Sequence, residues 1–303
     1  MYNSLSEHLK AQFGCKVYKL TISGGMTCPN RDGKIDTRGC IFCSQKGSGD
    51  FAEPKCESIT AQLESAKQRV SNKIKNGKYI AYFQDFTNTY APVQYLEKIF
   101  TEAICHPDVV ALSIATRPDC LPCDVLNLLE KLNKIKPVWV ELGLQTVHDV
   151  SATLIRRGYP LETFEKAVFE LKKRNIEIIA HMIIGLPFET EKMIFKTAEY
   201  IGKLKLNGIK LHLLHVIKNT DLEKMYQDKQ FTLPTLEKYT ELLIGCIRRM
   251  PPATVIHRLT GDGAKRDLVA PLWSADKKRV LNYIKNKFEK CNLNQGELYI
   301  ENR

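Results

Sequence analysis

Residues 109–144 read VVALSIATRPDCLPCDVLNLLEKLNKIKPVWVELGL and contain one complete strand–helix–strand pattern. Two short runs rich in β-branched and apolar residues, Val109–Ala115 and Val138–Leu144, have the composition of buried strands. Between them, Pro122 lies where a first helical turn is expected to begin, a position that suits a residue without a backbone N–H. A strand, a helix and a second strand in this order predict parallel pairing through a right-handed crossover.

The same alternation extends over the first two-thirds of the chain. Further strands are predicted at Val17–Ile22, Tyr79–Phe83, Ile176–Ile184 and Ile209–Val216. Further helices are predicted from Ile59 to Ile74 with Gly77 as the C-cap, from Pro92 onward, over Leu161–Lys173, and over Thr190–Leu206 with Thr190 as the N-cap. Six such units predict an α/β fold, a partial (β/α)6 TIM-like barrel rather than the complete barrel of eight units.

The alternation stops after about Ile217. Beyond it the sequence predicts a helix over Thr235–Arg249, a strand over Thr254–Leu259, and a last amphipathic helix that begins at Ser274 and is rich in lysine. We therefore expect a barrel at residues 1–217, with its cysteine-containing loop at 28–43, and a C-terminal α+β extension at residues 218–303 that packs on the barrel. A role of this extension in substrate binding is a further hypothesis.

The composition is that of an ordinary globular protein. Of 303 residues, 44% are hydrophobic and 26% are charged, which excludes collagen-like, disordered and low-complexity classes. No stretch approaches the ~18 uninterrupted apolar residues of a membrane helix, and the N-terminal sequence MYNSLSEH lacks the pattern of a signal peptide. We therefore expect a cytoplasmic protein without a membrane partner.

Net charge and cysteine content both depart from the average. Lys and Arg total 45 against 34 for Asp and Glu, a net charge of +11, and a basic chain often binds polyanions such as nucleic acid. A small anionic substrate is an alternative. Ten cysteines in a chain without a secretion signal indicate metal binding or redox chemistry rather than disulfides.

Three cysteines follow the first predicted strand. Cys40 and Cys43 form a CxxC pair, and Cys28 precedes Cys40 by twelve positions. Three thiolates from one loop suffice to bind three irons of a 4Fe–4S cluster and leave the fourth iron open to a further ligand. A loop that follows a barrel strand lies at the carboxyl-end mouth, where barrel enzymes build their active sites.

Two other interpretations of these cysteines stay open. A structural zinc site needs a fourth ligand, and a second CxxC pair, Cys120 and Cys123, is the obvious donor because it too follows a predicted strand. The separation along the chain, however, far exceeds the ~15–20 residues of compact zinc ribbons. Buried and chemically inert cysteines are the other interpretation. The sequence does not decide whether Cys120 and Cys123 hold a second metal.

Five motifs at predicted strand ends resemble those of a known family. They are TCPNRDG at residues 27–33, TRPDCLP at 116–122, ELGLQT at 141–146, GLP at 185–187 and LHLLHVI at 211–217. Together with the spacing of Cys28, Cys40 and Cys43, they resemble the radical S-adenosylmethionine (SAM) superfamily. Within it, the pattern is similar to a subfamily related to the Elongator catalytic subunit and to oxygen-independent coproporphyrinogen dehydrogenase. The resemblance covers most of the chain.

The resemblance implies two cofactors, a 4Fe–4S cluster and S-adenosylmethionine. The three cysteines would bind the cluster, whose open iron would chelate the amino and carboxylate groups of S-adenosylmethionine. One electron from the reduced cluster then splits a carbon–sulfur bond, giving methionine and a 5′-deoxyadenosyl radical. By the same resemblance, Gln84 and, after it, Asp85 are candidates for contact with the methionyl amino group. Arg157 is the candidate for the methionyl carboxylate, which its forked guanidinium fits.

The nucleoside half of S-adenosylmethionine is assigned by the same resemblance. Gln145 resembles the residue that hydrogen-bonds the ribose. Val216 and Ile217 are expected to pack an apolar surface against the adenine. Phe42, directly before the last cysteine, is another candidate platform for that ring.

Several polar residues lie within the predicted strands. Glu141 has the parity of an inward-facing residue, and a carboxylate inside a barrel needs a partner, for which Arg117 and Lys210 are candidates. His212 and His215 differ in parity and are therefore not both expected to face inward. Neither histidine is assigned a catalytic role.

The cluster chemistry alone does not identify a substrate. The basic last helix and the segment His257–Asp267 favour a polyanion near the barrel mouth, and the resemblance implies tRNA, because Elongator-like relatives act on its wobble uridine. We predict that the carboxymethylaminomethyl group at uridine C5 is trimmed to aminomethyl, with electrons from a reductant protein such as flavodoxin or ferredoxin. The alternatives are a radical enzyme acting on a small anionic substrate such as a tetrapyrrole precursor, and a non-catalytic zinc-containing RNA-binding protein.

Overall fold

The computed structural model describes residues 1–45, 47, 58–72, 77–261 and 265–301. Two features of the sequence analysis lie outside these ranges, namely Ile74 and positions 262–264 of the basic segment. Within the described ranges, no helix combines the length and the apolar character needed to cross a membrane.

Strands and helices alternate through the first two-thirds of the chain, as predicted. The N-terminal helix α1 (Leu5–Phe13) is followed by six strands, β1 (Val17–Ile22), β2 (Lys78–Phe83), β3 (Val109–Thr116), β4 (Val138–Gln145), β5 (Glu177–Ile184) and β6 (Gly208–Leu213). The helices between them are α2 (Ile59–Val70), α3 (Val93–Cys105), α4 (Cys123–Asn133), α5 (Asp149–Leu154), α6 (Leu161–Lys173) and α7 (Glu191–Lys203). All six strands pair in parallel and in chain order, which confirms an α/β fold with a partial TIM-like barrel.

The C-terminal part of the chain contributes a seventh strand to this sheet. It contains β7 (Val216–Ile217), α8 (Asp221–Gln227), α9 (Leu236–Arg248), β8 (Val255–Arg258), β9 (Leu268–Ala270) and α10 (Lys277–Lys290). Strand β8 pairs in parallel with β6, so the added strand predicted at Thr254–Leu259 extends the sheet of the six predicted units to seven strands. The sequence located this strand correctly, but α9 packs against α7 as one more crossover helix and returns the chain to the barrel sheet.

Several predicted boundaries differ from the structure. The sixth predicted strand ends at Leu213, and β7 is a separate strand that pairs antiparallel with β9. Helix α2 ends with Ser71 as its C-cap rather than Gly77. Helix α10 begins after Ser274, because the Asp276 side chain accepts a hydrogen bond from the third backbone N–H of the helix and caps it there.

The inside of the barrel is layered. The layer farthest from the carboxyl-end mouth is apolar and buried, and consists of Leu9 of α1 with Ile80, Ala111, Trp139 and Ile179. Helix α1 also contacts the two edge strands, β1 and β8, and covers the opening between them. Because side chains alternate along a strand, the residues two positions farther along form a polar layer above the apolar one, namely Tyr82, Ser113, Glu141 and His181. The site lies on this layer.

Candidate active site

A cavity of about 280 Å³ lies at the carboxyl ends of the barrel strands. Its walls come from β2 to β6, from β8, and from the loop that follows β1. Most of the residues singled out from the sequence line it, namely Cys28, Cys40, Phe42, Cys43, Gln84, Arg117, Glu141, Gln145, Arg157 and Ile217. This end of the strands is where barrel enzymes carry their active sites.

The three cysteines of the first loop share this cavity. The Cys43 backbone N–H donates to the Cys40 carbonyl at 3.0 Å and closes the CxxC segment into a turn. Burial raises the pKa of both thiols, that of Cys43 to about 12, and the neighbouring cysteines add to the shift. Buried thiols favour their neutral form until a cation binds them, and metal coordination deprotonates a thiol outright.

Two side chains that the sequence analysis did not assign hold the loop in shape. The Arg31 guanidinium donates to the carbonyls of Cys43 and Ser44 at 2.9 and 2.7 Å. The buried Asn30 amide lies 3.6 Å from the Cys40 sulfur. Hydrogen bonds to the sulfur ligands tune the reduction potential of an iron–sulfur cluster, so Asn30 is placed to affect the centre that this loop would hold.

The donor set fits a cluster. In a 4Fe–4S cluster each thiolate binds a different iron, so the sulfurs need not converge on one point. Among the described residues, no three His, Cys, Asp or Glu side chains form a group that could hold a single metal ion. Cys120 is buried and Cys123 exposed, and neither belongs to the described lining of the cavity, so the cavity wall contains the first CxxC pair and not the second.

Arg157 is 2% exposed and lines the same cavity. Its guanidinium donates to the carbonyls of Leu144, Thr146 and Tyr159 at 3.0, 2.6 and 3.0 Å. Its Nη2 is buried and has no hydrogen-bond partner within the described part of the chain. A buried N–H group without an acceptor is costly, so this nitrogen marks a place where a ligand oxygen fits.

In two pairs of adjacent candidate residues, one residue of each pair lines the cavity and the other does not belong to its described lining. Gln84 lines the cavity, whereas Asp85 is not among the described lining residues and accepts a hydrogen bond from the Ser23 hydroxyl. Ile217 lines the cavity, whereas the buried Val216 is absent from that lining. Neighbouring side chains on an extended chain point to opposite sides. The cavity therefore receives one member of each pair, and Asp85 and Val216 are not brought to it.

Gln145 and Phe42 both line the cavity. Gln145 has φ 66° and lies where the pairing register between β4 and β5 shifts. A residue other than glycine seldom adopts this left-handed conformation, and such strain is concentrated at functional sites. The shift at Gln145 coincides with the point where β4 reaches the mouth.

Glu141 is the centre of the polar layer and is fully buried. Its Oε1 accepts hydrogen bonds from Lys19 Nζ and Ser113 Oγ, both at 2.7 Å. Its Oε2 accepts from His181 Nε2 at 2.8 Å and also from Lys210 Nζ. Four donors from four strands therefore converge on one carboxylate and tie the inside of the barrel together.

Of the two partners expected for Glu141, the structure confirms one. Burial raises the pKa of Glu141, but the Lys19 and Lys210 ammonium groups outweigh it and hold that pKa well below its usual range. Lys210 is thus confirmed as a partner. Arg117 is not, because it pairs with Asp119, 2.8 Å away.

His212 and His215 both line the cavity, contrary to the parity argument. That argument assumed one strand through both residues, but β6 ends at Leu213. The rings of His181 and His212 lie 5.1 Å apart. Burial lowers the pKa of His181 to about 4 and that of His212 well below its usual value, so both rings are neutral at pH 7.

The fold and the site define a class of protein, a partial barrel whose first loop presents three cysteines to a cavity at the mouth and so suits an iron–sulfur centre. The chain belongs to the radical SAM superfamily. The sequence profile of the Radical SAM superfamily matches residues 36–201, and that of the Radical_SAM C-terminal domain matches residues 206–290. The first match begins after Cys28, which the cavity nevertheless brings together with Cys40 and Cys43.

Individual proteins similar to this chain support the same relationship. It is 43% identical over 298 residues to protein YtqA of Bacillus subtilis, which covers 98% of this chain and 92% of that protein. It is 28% identical over 197 residues to the tRNA uridine(34) acetyltransferase of Methanocaldococcus infernus, covering 60% of this chain and 34% of that protein. The solved structure of Methanocaldococcus infernus Elp3 with an N-terminal deletion has a TM-score of 0.69 at 18% identity, covering 92% of this chain and 64% of that chain. At that identity the structural likeness concerns the fold.

Membership confirms a radical SAM enzyme whose cofactors are a 4Fe–4S cluster and S-adenosylmethionine and which needs a reductant. The relatives named as a tRNA uridine(34) acetyltransferase and as Elp3 confirm the expected relationship to the Elongator-like subfamily. When bound and reduced, the cluster supplies the electron that splits S-adenosylmethionine into methionine and a 5′-deoxyadenosyl radical. This membership argues against the alternative of a non-catalytic zinc-containing RNA-binding protein.

Proposed function

We propose that this enzyme acts on the wobble uridine of tRNA and converts its C5 carboxymethylaminomethyl group to aminomethyl. The similarity to a tRNA uridine(34) acetyltransferase over 60% of the chain carries the proposal. Because the match spans only 34% of that protein, we do not carry over the acetyl transfer in its name, only the uridine at position 34. A radical generator suits the task because the C–H bonds of this side chain resist acid–base attack.

The surface charge supports a polyanionic substrate. The net charge is +11, and helix α10 exposes five basic side chains, Lys277, Lys278, Arg279, Lys285 and Lys290. This helix begins shortly after β9, and the partner strand of β9, β7, contributes Ile217 to the cavity. Contact between such a helix and RNA phosphates would release counterions and favour binding.

We assign the cofactors to residues of the cavity wall. Cys28, Cys40 and Cys43 bind the cluster. The unpartnered Nη2 of Arg157 binds the methionyl carboxylate, and the Gln84 amide offers an acceptor to the methionyl amino group. We assign contact with the ribose and the adenine to the other candidates that line the cavity, Gln145, Phe42 and Ile217. A flavodoxin or ferredoxin is the proposed electron donor.

We expect Arg157→Lys to weaken S-adenosylmethionine binding about tenfold or more, because a lysine cannot reproduce the fork that donates to a carboxylate. Equilibrium dialysis of the cluster-loaded protein measures the dissociation constant. Arg174→Lys is the matched control, since Arg174 is 14% exposed and pairs with Glu170 outside the described cavity lining. Unchanged affinity in a folded Arg157→Lys protein would contradict the assignment.

Deleting the gene in its natural host tests the substrate. We expect carboxymethylaminomethyl-uridine to accumulate in the tRNA and aminomethyl-uridine, with anything made from it, to disappear. Mass spectrometry of digested tRNA measures both nucleosides, and wild-type protein but not a Cys43→Ala variant should restore the original composition. A deletion strain with unchanged tRNA nucleosides would overturn the proposal and favour a small anionic substrate instead.

A further inference from the structure

An aromatic side chain is exposed beside the mouth of the cavity. Phe188 is 65% exposed and lies in the loop that follows β5, at the carboxyl end of the strands. The next residue, Glu189, accepts a hydrogen bond from the Thr146 hydroxyl at 2.6 Å, directly after the cavity residue Gln145. One exposed aromatic ring is common on a protein surface. The backbone beneath this one is not.

The backbone at Phe188 is strained. The Glu189 N–H donates to the Leu186 carbonyl at 3.2 Å and closes a turn, in which Pro187 is the second residue and Phe188, with φ 66°, is the third. A proline followed by a residue of positive φ is the pattern of a type II turn, whose third position favours glycine. A phenylalanine there gives up folding stability, and its exposed ring gains little burial in return. Such strain is typical of functional sites.

The surface continues from Phe188 towards the basic helix α10. Gly185 approaches Pro234 so closely that a Cβ at position 185 would lie 3.3 Å from Pro234 Cδ. The Pro234 carbonyl accepts a hydrogen bond from Trp273 Nε1 at 3.2 Å, and Leu272, the residue before Trp273, is 70% exposed. Helix α10 begins shortly afterwards. We call Phe188, Pro234 and Leu272 the apolar rim.

An apolar rim beside a basic helix has the chemistry that binds single-stranded RNA. Unpaired bases stack on aromatic side chains, while lysine and arginine contact the phosphates. Helix α10 packs against α9, which begins just after Pro234, and the exposed side chains of α10 include Lys278 and Arg279. Positive charge at this position favours a polyanion as the occupant of the rim.

We propose that the apolar rim binds the anticodon loop of tRNA, with Phe188 stacking on an unpaired base next to the wobble uridine. The inference rests on the proposed function, which requires this uridine to enter the cavity. A base that enters an enzyme pocket leaves the stack of its neighbours, which is costly. An aromatic ring at the mouth compensates for part of that cost by stacking on a neighbouring base.

Binding of two RNAs to the cluster-loaded full chain with S-adenosylmethionine tests this. One is an anticodon stem-loop with carboxymethylaminomethyl-uridine at the wobble position, and the other is a fully paired duplex with the same number of phosphates. Measured by fluorescence anisotropy, Phe188→Ala should weaken stem-loop binding about tenfold, as expected for the loss of one stacked base. It should leave duplex binding unchanged, and Phe188→Trp should retain the binding of both.

A second phenylalanine provides the matched control. Phe169 is also 65% exposed but lies on helix α6 rather than on the rim. Phe169→Ala should therefore bind both RNAs as the wild type does. Equal stem-loop binding by Phe188→Ala and the wild type, or equal weakening of stem-loop and duplex binding, would overturn the inference.

The stability of the protein without RNA separates recognition from a structural role. Because the third position of the turn favours glycine, Phe188→Gly should weaken stem-loop binding without lowering the melting temperature. A lowered melting temperature with unchanged stem-loop binding would show a structural phenylalanine and overturn the inference. Unchanged RNA binding with slower reduction of the cluster by flavodoxin in Phe188→Ala would overturn it too, because the rim would then dock the reductant. The tRNA nucleosides of the deletion strain judge the proposed function separately.

Discussion

Replacing Cys43 with alanine should abolish the cluster. Three thiolates hold three irons, and a loop that loses one of them cannot keep the cube in place. We expect the iron and sulfide content to fall from about four of each per chain to a small residue, and reductive cleavage of S-adenosylmethionine to fall to background. Colorimetric iron and sulfide assays and chromatography of 5′-deoxyadenosine measure the two effects.

A matched cysteine variant provides the control. Cys123 is exposed and lies outside the described cavity lining, so Cys123→Ala should retain both the cluster and the cleavage activity. If Cys43→Ala kept its full iron content, or if Cys123→Ala lost it, the assignment of the ligands to the first loop would be wrong.

Glu141→Ala should have the largest effect on stability. It removes the only carboxylate that Lys19 and Lys210 contact within the described polar layer, and leaving buried charges uncompensated costs about 3–5 kcal/mol. Thermal denaturation measured by calorimetry should show a melting temperature lower by roughly 1.5 °C for each kcal/mol. Because the cost comes from the unpaired cations, adding Lys210→Met to Glu141→Ala should recover part of the loss.

An exposed glutamate provides the control for the Glu141→Ala variant. Glu289 lies on α10, 3.7 Å from Lys285, with a half-exposed side chain, and such surface pairs contribute about 0–1 kcal/mol. Glu289→Ala should therefore leave the melting temperature nearly unchanged. A Glu141→Ala protein as stable as the wild type would show that the lysines find other partners and that the polar layer is not held by this carboxylate.

The periodic spacing of apolar residues in strands and helices was enough to predict most of the fold. Thr190 caps α7 as expected, its hydroxyl accepting from the Met193 N–H. The seventh strand was placed correctly in the sequence but not in the sheet, because pairing between β8 and β6 depends on how α9 packs against α7, which a local pattern does not contain. The end of β6 at Leu213 was missed for a similar reason, since the chain departs from the sheet without a glycine or proline to signal it.

Those residues of the candidate site that belong to a motif or to the cysteine spacing could be predicted from the sequence. The three cysteines and Arg157 fall in the cavity because each follows a strand end. Adjacent candidates such as Gln84 and Asp85 could not be separated, because choosing between them requires the parity of the strand end. The Lys19 contact with Glu141 joins β1 to β4, and that cross-barrel contact depends on tilt and register rather than on any local feature.

The central claim is that three cysteines of one loop hold a 4Fe–4S cluster with one iron open to S-adenosylmethionine. The electron paramagnetic resonance spectrum of the reduced, cluster-loaded protein, recorded with and without S-adenosylmethionine, tests it most directly. A cluster signal that changes when S-adenosylmethionine is added is the predicted result, because the new ligand alters the environment of the open iron. A protein without a cluster signal, or with a signal that S-adenosylmethionine leaves unchanged, would contradict the account.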